Sequence, residues 1–180
     1  MMQDNEKEPR DFQDVNDDII TMKRKIKQLL ISDEDILRAL NNPDIDLDSP
    51  DEFLDNNIYG FIRIPTTQDT VRNFICFTVD DIEEHRFNEV MKVQYIQFTA
   101  ICHLSDMKTE YGIDRHDLLG YLIRDDFNWT NEFGLQFKLI YNKESTIDSD
   151  YYCRTLKFEA IKPNHINKAR MYNPNDKLRR

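Results

Sequence analysis

From Met91 to Asn128 the chain alternates like one long strand and then, after a short connection, repeats like one amphipathic helix. Ile96, Phe98, Ala100 and Cys102 share one face of the strand, and Val93, Tyr95, Gln97, Thr99 and Ile101 share the other, because successive strand residues point to opposite sides. In the helix, Leu118, Leu119, Leu122, Ile123 and Phe127 recur at three- and four-residue steps and form one apolar stripe. Upstream, Ile19, Met22, Ile26, Leu29 and Leu30 predict a helix from about Asp17 to Ile31. Its N-terminal acids suit the helix dipole, and Lys23, Arg24, Lys25 and Lys27 read as a solvated outer face. Ser32 is placed to cap a second helix with Ile36, Leu37 and Leu40 inward, ended by Asn41-Asn42-Pro43. Ser49, Pro50 and Glu52 then carry the cap, first-turn proline and capping-box acid of a further helix start.

The remaining runs read as strands. A short one covers Ile58 to Pro65, where the proline stops it, and another covers residues 72–79. The link "DDIEEHRFNE" is rich in charge and has no glycine, so it predicts an open, exposed hairpin tip. Leu135, Phe137, Leu139 and Tyr141 alternate within Gly134 to Asn142. The last strand, Tyr151 to Ile161, pairs with it across "KESTIDSD" and buries Tyr152, Leu156, Phe158 and Ala160. Helices, three strands, a helix and a hairpin specify an α+β fold: a mostly antiparallel sheet of four to five strands packed against a central helix and N-terminal helices. Ile96, Phe98, Leu118, Leu122, Leu139, Leu156 and Phe158 are expected in one core, with Trp129 and Phe133 as a plug at the exit of the central helix.

Length and charge sharpen this outline. At 180 residues the chain has room for one domain with a real core, and the pattern assigns it to residues 17–161. Residues 1–16 are acidic with Phe12 as their only aromatic, a composition expected to stay mobile. From Lys162 to Arg180 there are six bases and one acid, a basic arm of +5. Against the formal −10 of the whole chain, residues 1–161 therefore carry −15. Such a balance argues against a general nucleic-acid binder, which needs clustered Lys and Arg. It suits association of unlike patches. The candidate interaction residues are Asp80, Asp81, Glu83, Glu84 and Arg86 at the predicted hairpin tip, with Lys162, Lys168, Arg170, Arg179 and Arg180 on the arm. The N-terminus lacks the apolar core of a secretory signal, and no apolar run approaches the ~20 residues of a bilayer span. A soluble protein made in a cytoplasm, with no membrane partner, is expected.

Candidate chemistry is thin. Cys76, Cys102 and Cys153 all fall in strand-like runs and form no CxxC pair, so buried thiols are expected rather than a zinc site or disulfide framework. His85, His103, His116 and His165 have no helical ligand spacing. The Asp44-x-Asp46-x-Asp48 run resembles the start of a calcium loop, but the sixth position is Ser49 and the twelfth Asp55, where Gly and a bidentate Glu are required. The neighbouring acids Asp80-Asp81, Glu83-Glu84 and Asp125-Asp126 do acid–base work only if one is desolvated, and those of the charged turn read as solvated. The Glu-x-Lys triplet of a metal-dependent nuclease is missing, since "LKFEA" inverts it, and the four glycines do not cluster into a phosphate loop. The reading is a protein without catalysis, cofactor or metal.

The order of an N-terminal amphipathic helix, a strand ending "FIRIP", two strands around a hairpin, the helix "DRHDLLGYLI" and the closing hairpin "GLQFKLIYN…YYCRTLKFEAI" resembles the tail-terminator, or tail-completion, neck proteins of long-tailed bacteriophages. The resemblance covers roughly residues 17–161; the acidic stretch around Asp44–Asp55 and the basic arm look like additions. It implies a structural virion protein assembled in the host bacterial cytoplasm. Its homo-oligomeric ring, usually six-fold, would cap the tail tube protein and meet the head connector or head-closure protein. DNA would pass through the lumen without specific binding, which a negative lining favours. Two other classes stay open. A small acidic immunity or inhibitor protein would bind a basic partner one to one. An enzyme with an unrecognised site would show a deep pocket of converging polar groups.

Overall fold

The computed structural model describes residues 17–63, 73–85 and 88–163, with the side chains of 82–85 and 88–90 left aside. The predicted mobile segment 1–16, Arg86 and the arm beyond Pro163 lie outside the described residues. The elements are α1 (Asp18–Ser32), α2 (Glu34–Leu40), β1 (Ile58–Tyr59), β2 (Asn73–His85), β3 (Asn88–His103), α3 (Arg115–Phe127), β4 (Lys138–Thr146) and β5 (Tyr151–Pro163), with 3-10 turns at Pro50–Phe53 and Leu104–Asp106. The sheet has five strands in the order β1-β2-β3-β5-β4. β1 joins β2 in parallel, and every other pairing is antiparallel. This is the expected α+β architecture.

Helix starts follow side-chain capping. Asp17 Oδ1 accepts from the Ile19 and Ile20 amides at 2.9 and 3.1 Å, which satisfies amides that no helical carbonyl reaches. The cap of α2 is Asp33 rather than Ser32: Asp33 Oδ1 accepts from Asp35 and Ile36. The Ser32 hydroxyl instead donates back to the Gln28 carbonyl at 2.7 Å inside α1. Asn41, at φ 49°, ends α2 in the left-handed conformation that asparagine tolerates. The expected helix at Ser49 is a single 3-10 turn whose Ser49 side chain makes no cap.

One face of the sheet carries the helices and the main core. Ile75, Phe77 and Val79 of β2, Ile96, Phe98, Ala100 and Cys102 of β3, and Leu156, Phe158 and Ala160 of β5 meet Met22, Ile26, Leu30, Leu119, Ile123 and Phe127 there. Phe98 lies at its centre, with ring centroids 4.5 Å from Phe127 and 5.9 Å from Phe158. Leu118 and Leu122 are only partly buried against this core, because the inward stripe of α3 runs through His116, Leu119, Gly120, Ile123 and Phe127; Leu139, beside the bulge of β4, is also only partly buried. Phe133 stacks on Phe127 at 5.5 Å and plugs the end of the helix as expected. Trp129, with φ 64°, is instead exposed.

Boundaries differ from the sequence reading in all five strands. β1 is two residues long, so Phe61 and Ile62 stand exposed beyond it. β4 begins at Lys138, and a bulge between Leu139 and Tyr141 turns Tyr141 away from the core into solvent. The largest difference is the predicted open tip at 80–89. β2 runs on to His85 and β3 starts at Asn88, so the acids Asp80 to Glu84 lie in a paired ribbon. β5 likewise continues through Lys162 to Pro163, paired with Lys92 and Met91.

The opposite face holds a second, smaller cluster of Tyr59, Phe74, Cys76, Ile101, Tyr151 and Cys153. The Arg63 guanidinium lies over the Tyr59 and Phe74 rings at 4.9 and 5.0 Å. All three cysteines are free and buried, as their strand positions imply, and burial raises the Cys76 and Cys102 thiol pKa values.

Candidate interaction surface

Lys92 and Lys162 are directly opposite each other on β3 and β5, on the face that carries Ile96 and Ala160. Two like charges in that position repel, and both side chains are nearly buried. Asp81, on the same face of the neighbouring β2, resolves the conflict. Its carboxylate is 2.6 Å from Lys92 Nζ and 3.3 Å from Lys162 Nζ. Asp18, in the first turn of α1, closes the square at 3.3 and 3.4 Å from the same two ammonium groups. Gln94 donates at 2.7 Å to Asp81 Oδ1, the carboxylate oxygen that faces Lys162. Burial works against the Lys92 ammonium, but the Asp81 hydrogen bond and charge, followed by those of Asp18, raise its pKa. For Asp18 burial likewise opposes ionisation, and the Lys162 charge with hydrogen bonds from Lys92 and Lys162 overcomes it.

The structure therefore brings two of the candidate interaction residues together inside one subunit. Asp81 and Lys162 were expected on separate exposed patches. Each is instead committed to the other, because strand alternation carries both onto the helix-covered face. Asp80, one residue earlier, points to the other face and is exposed. Glu83 and Glu84 continue β2 beyond it. Arg86, Lys168, Arg170, Arg179 and Arg180 lie outside the described residues.

A second polar network fixes the joint between α2, α3 and the turn at 104–106. Arg115 is buried and donates to the Asp106 carbonyl at 2.7 Å and the Ala39 carbonyl at 2.8 Å, while its guanidinium also lies 3.3 Å from the Asp106 carboxylate. Asn73 donates to the Leu40 carbonyl at 2.9 Å. Both contacts supply partners to carbonyls that the end of α2 leaves open. Beside this joint is an open groove of about 630 Å³, with Ala39, Leu118 and Leu122 as its apolar part and Asp35, Arg38, Glu110 and Tyr111 at its rim. Its two arginines are already engaged, Arg38 with Glu34 and Arg115 with Asp106.

Two titratable groups of α3 stand out. His116 is buried, its Nδ1 3.1 Å from Met107 Sδ. Its Nε2 lies 3.3 Å from Glu144 and 3.5 Å from Asp117, though in hydrogen-bond geometry with neither. Asp126 is the desolvated member of the Asp125-Asp126 pair. Burial first, then the charge and hydrogen bonding of Asp33 and the charge of Asp125, push its carboxyl pKa up to about 7. Sequence reading missed this, because the proximity of Asp33 comes from the packing of α3 against the α1–α2 corner.

The sheet ends in two unlike edges. Among the described residues β4 pairs only with β5, and nearly all its residues are exposed, Ile140 and Tyr141 among them. On the other side β1 covers only Ile75 and Cys76 of β2. Among the described residues, nothing pairs with the outer edge of β2 from Phe77 onward. Exposed strand edges template pairing with another chain unless they are covered or blocked. No helix among the described residues is long and apolar enough to cross a membrane.

Comparison with known proteins adds one finding. A family model described as YomW matches residues 24–160, from within α1 to Ala160 near the end of β5. No curated protein matches the chain.

Proposed function

The chain belongs to the YomW family, a phage-associated family, and from that premise we propose that it is a structural protein of the phage neck. In this reading its copies form a ring, six-fold as in the tail-terminator proteins it resembles. The ring caps the tail tube and offers its other surface to the head connector or head-closure protein. The observation that supports it best is the pair of unlike sheet edges. A closed ring needs a heterologous contact, in which one patch of each subunit meets a different patch of the next, and β4 and the outer part of β2 are two such patches. The acidic body supports the same reading, since a negative lumen lets DNA slide without holding it. The basic arm beyond Pro163 would serve as a second, electrostatic contact to a neighbour.

The test is to produce the tail proteins of the phage with and without this chain and image the products. Tails of defined length, capped at one end when the chain is present and irregular when it is absent, are the expected outcome. A tight one-to-one complex with a basic enzyme, and no association with tails, would move the protein to the class of acidic inhibitors.

A further inference from the structure

We propose that neighbouring copies join edge to edge, with β4 of one subunit pairing antiparallel to Phe77–Ile82 of β2 in the next and Lys143 directly opposite Asp80. This deepens the ring reading and rests on it for closure, though the pairing is argued from the strands themselves.

Direction comes first. Each neighbour from β2 through β3 and β5 to β4 is antiparallel, so β4 and β2 run in opposite senses within one sheet. A second copy set beside the first in the same orientation therefore presents β2 to β4 as an antiparallel pair, with hydrogen bonds perpendicular to the strands.

Regular length comes second. The bulge in β4 lies between Leu139 and Tyr141, which leaves Tyr141–Thr146 as its regular part. The first irregularity in β2 lies between Ile82 and Glu84, and β1 occupies the strand up to Cys76. Among the described residues Phe77–Ile82 is thus the regular part of β2 with no outer strand partner, and it matches Tyr141–Thr146 in length. Aligned end to end and antiparallel, the two segments place both bulges at the same end of the new ladder.

Face and charge then agree with that alignment. Lys143 is opposite Thr155, which is opposite Thr99. Asp80 is opposite Tyr95 on that same face of β3, the one turned away from the helices. Directly opposed residues of an antiparallel pair share a face, so Lys143 and Asp80 can meet. Both are exposed, and Lys143 has no ion pair among the described residues. A slip of one residue reverses the faces. A slip of two keeps the faces but separates the charges and shortens the ladder. An edge lysine ordinarily discourages strand addition; here it would select the acidic edge over a second copy of β4, and so direct head-to-tail growth.

The test uses the full chain carrying Asp80→Cys or Lys143→Cys, the native cysteines being buried. Mixed and mildly oxidised, the two variants are expected to give a disulfide-linked dimer that neither gives alone. In parallel, Asp80→Lys and Lys143→Glu should each weaken self-association by roughly tenfold or more through like-charge contact, and the double variant should recover it. Unchanged circular dichroism in these surface variants keeps folding out of the comparison. No mixed dimer and no effect of charge reversal overturn the pairing, and rings that still form by sedimentation would then use another interface. A specific 80–143 link in protein that forms only open chains and never caps tails would keep the pairing and remove the ring.

Discussion

Phe158 and Leu122 both read as core in the sequence, but their surroundings differ. Phe158 is fully buried against Phe98 and Phe127, so Phe158→Ala leaves a cavity among aromatic rings and should cost about 3–5 kcal/mol in denaturant unfolding. Leu122 borders the open groove and is only partly buried. Leu122→Ala should cost about 1 kcal/mol, in proportion to the apolar area it covers. Equal losses at the two sites would contradict the stripe assigned to α3. Asp126 gives a pH-dependent counterpart. Its folded pKa, about 7, lies above the ordinary value of 3.8, so the folded state holds a proton that the unfolded state has released. Stability is expected to fall as pH rises from about 4 to about 7 and to stay reduced above that. Asp126→Asn keeps the group neutral. The melting temperature should therefore rise at pH 8, and the gain should shrink as pH falls toward 4. A gain that is the same at every pH would place the effect elsewhere.

At the scale of elements, the hydrophobic pattern located the three α-helices and five strands of the described residues, and it failed where charge had to be read as part of the pattern. Lys162 is two residues beyond Ala160, Asp81 two beyond Val79, and Gln94 and Lys92 two and four before Ile96. All continue core-facing positions of their strands, so a period-two reading carried past the last apolar residue would have placed them together. Asp18 was not legible, because its contact depends on how α1 docks on the sheet. The bulge at Ile140 also left no signal, and it alone moves Tyr141 from the expected core face to solvent. The ion square makes a direct prediction. Asp81→Ala leaves two adjacent, nearly buried ammonium groups with only Asp18 and should cost about 3 kcal/mol. Adding Lys162→Met to that variant should restore much of the loss. Additive losses would mean that Asp81 and Lys162 do not act as a pair.

On the scale of the whole molecule, the acidic body and basic arm divide at Pro163 rather than at Lys162, since Lys162 is tied into the sheet. Removing residues 164–180 should therefore leave thermal stability unchanged while weakening assembly, whereas removal from Lys162 should lower both. Normal assembly without 164–180 would take the arm out of the interface and leave the strand edges to form it. The class of fold was legible in the order of elements, and the phage association rests on the family match. A place in the neck depends on surfaces that meet other copies and other proteins. The most direct measurement is cryo-electron microscopy of purified virions that encode this chain. The account predicts a ring of its subunits at the junction of head and tail, with β4 of each copy beside β2 of the next. Virions that lack the chain, or that carry it anywhere but that junction, would contradict it.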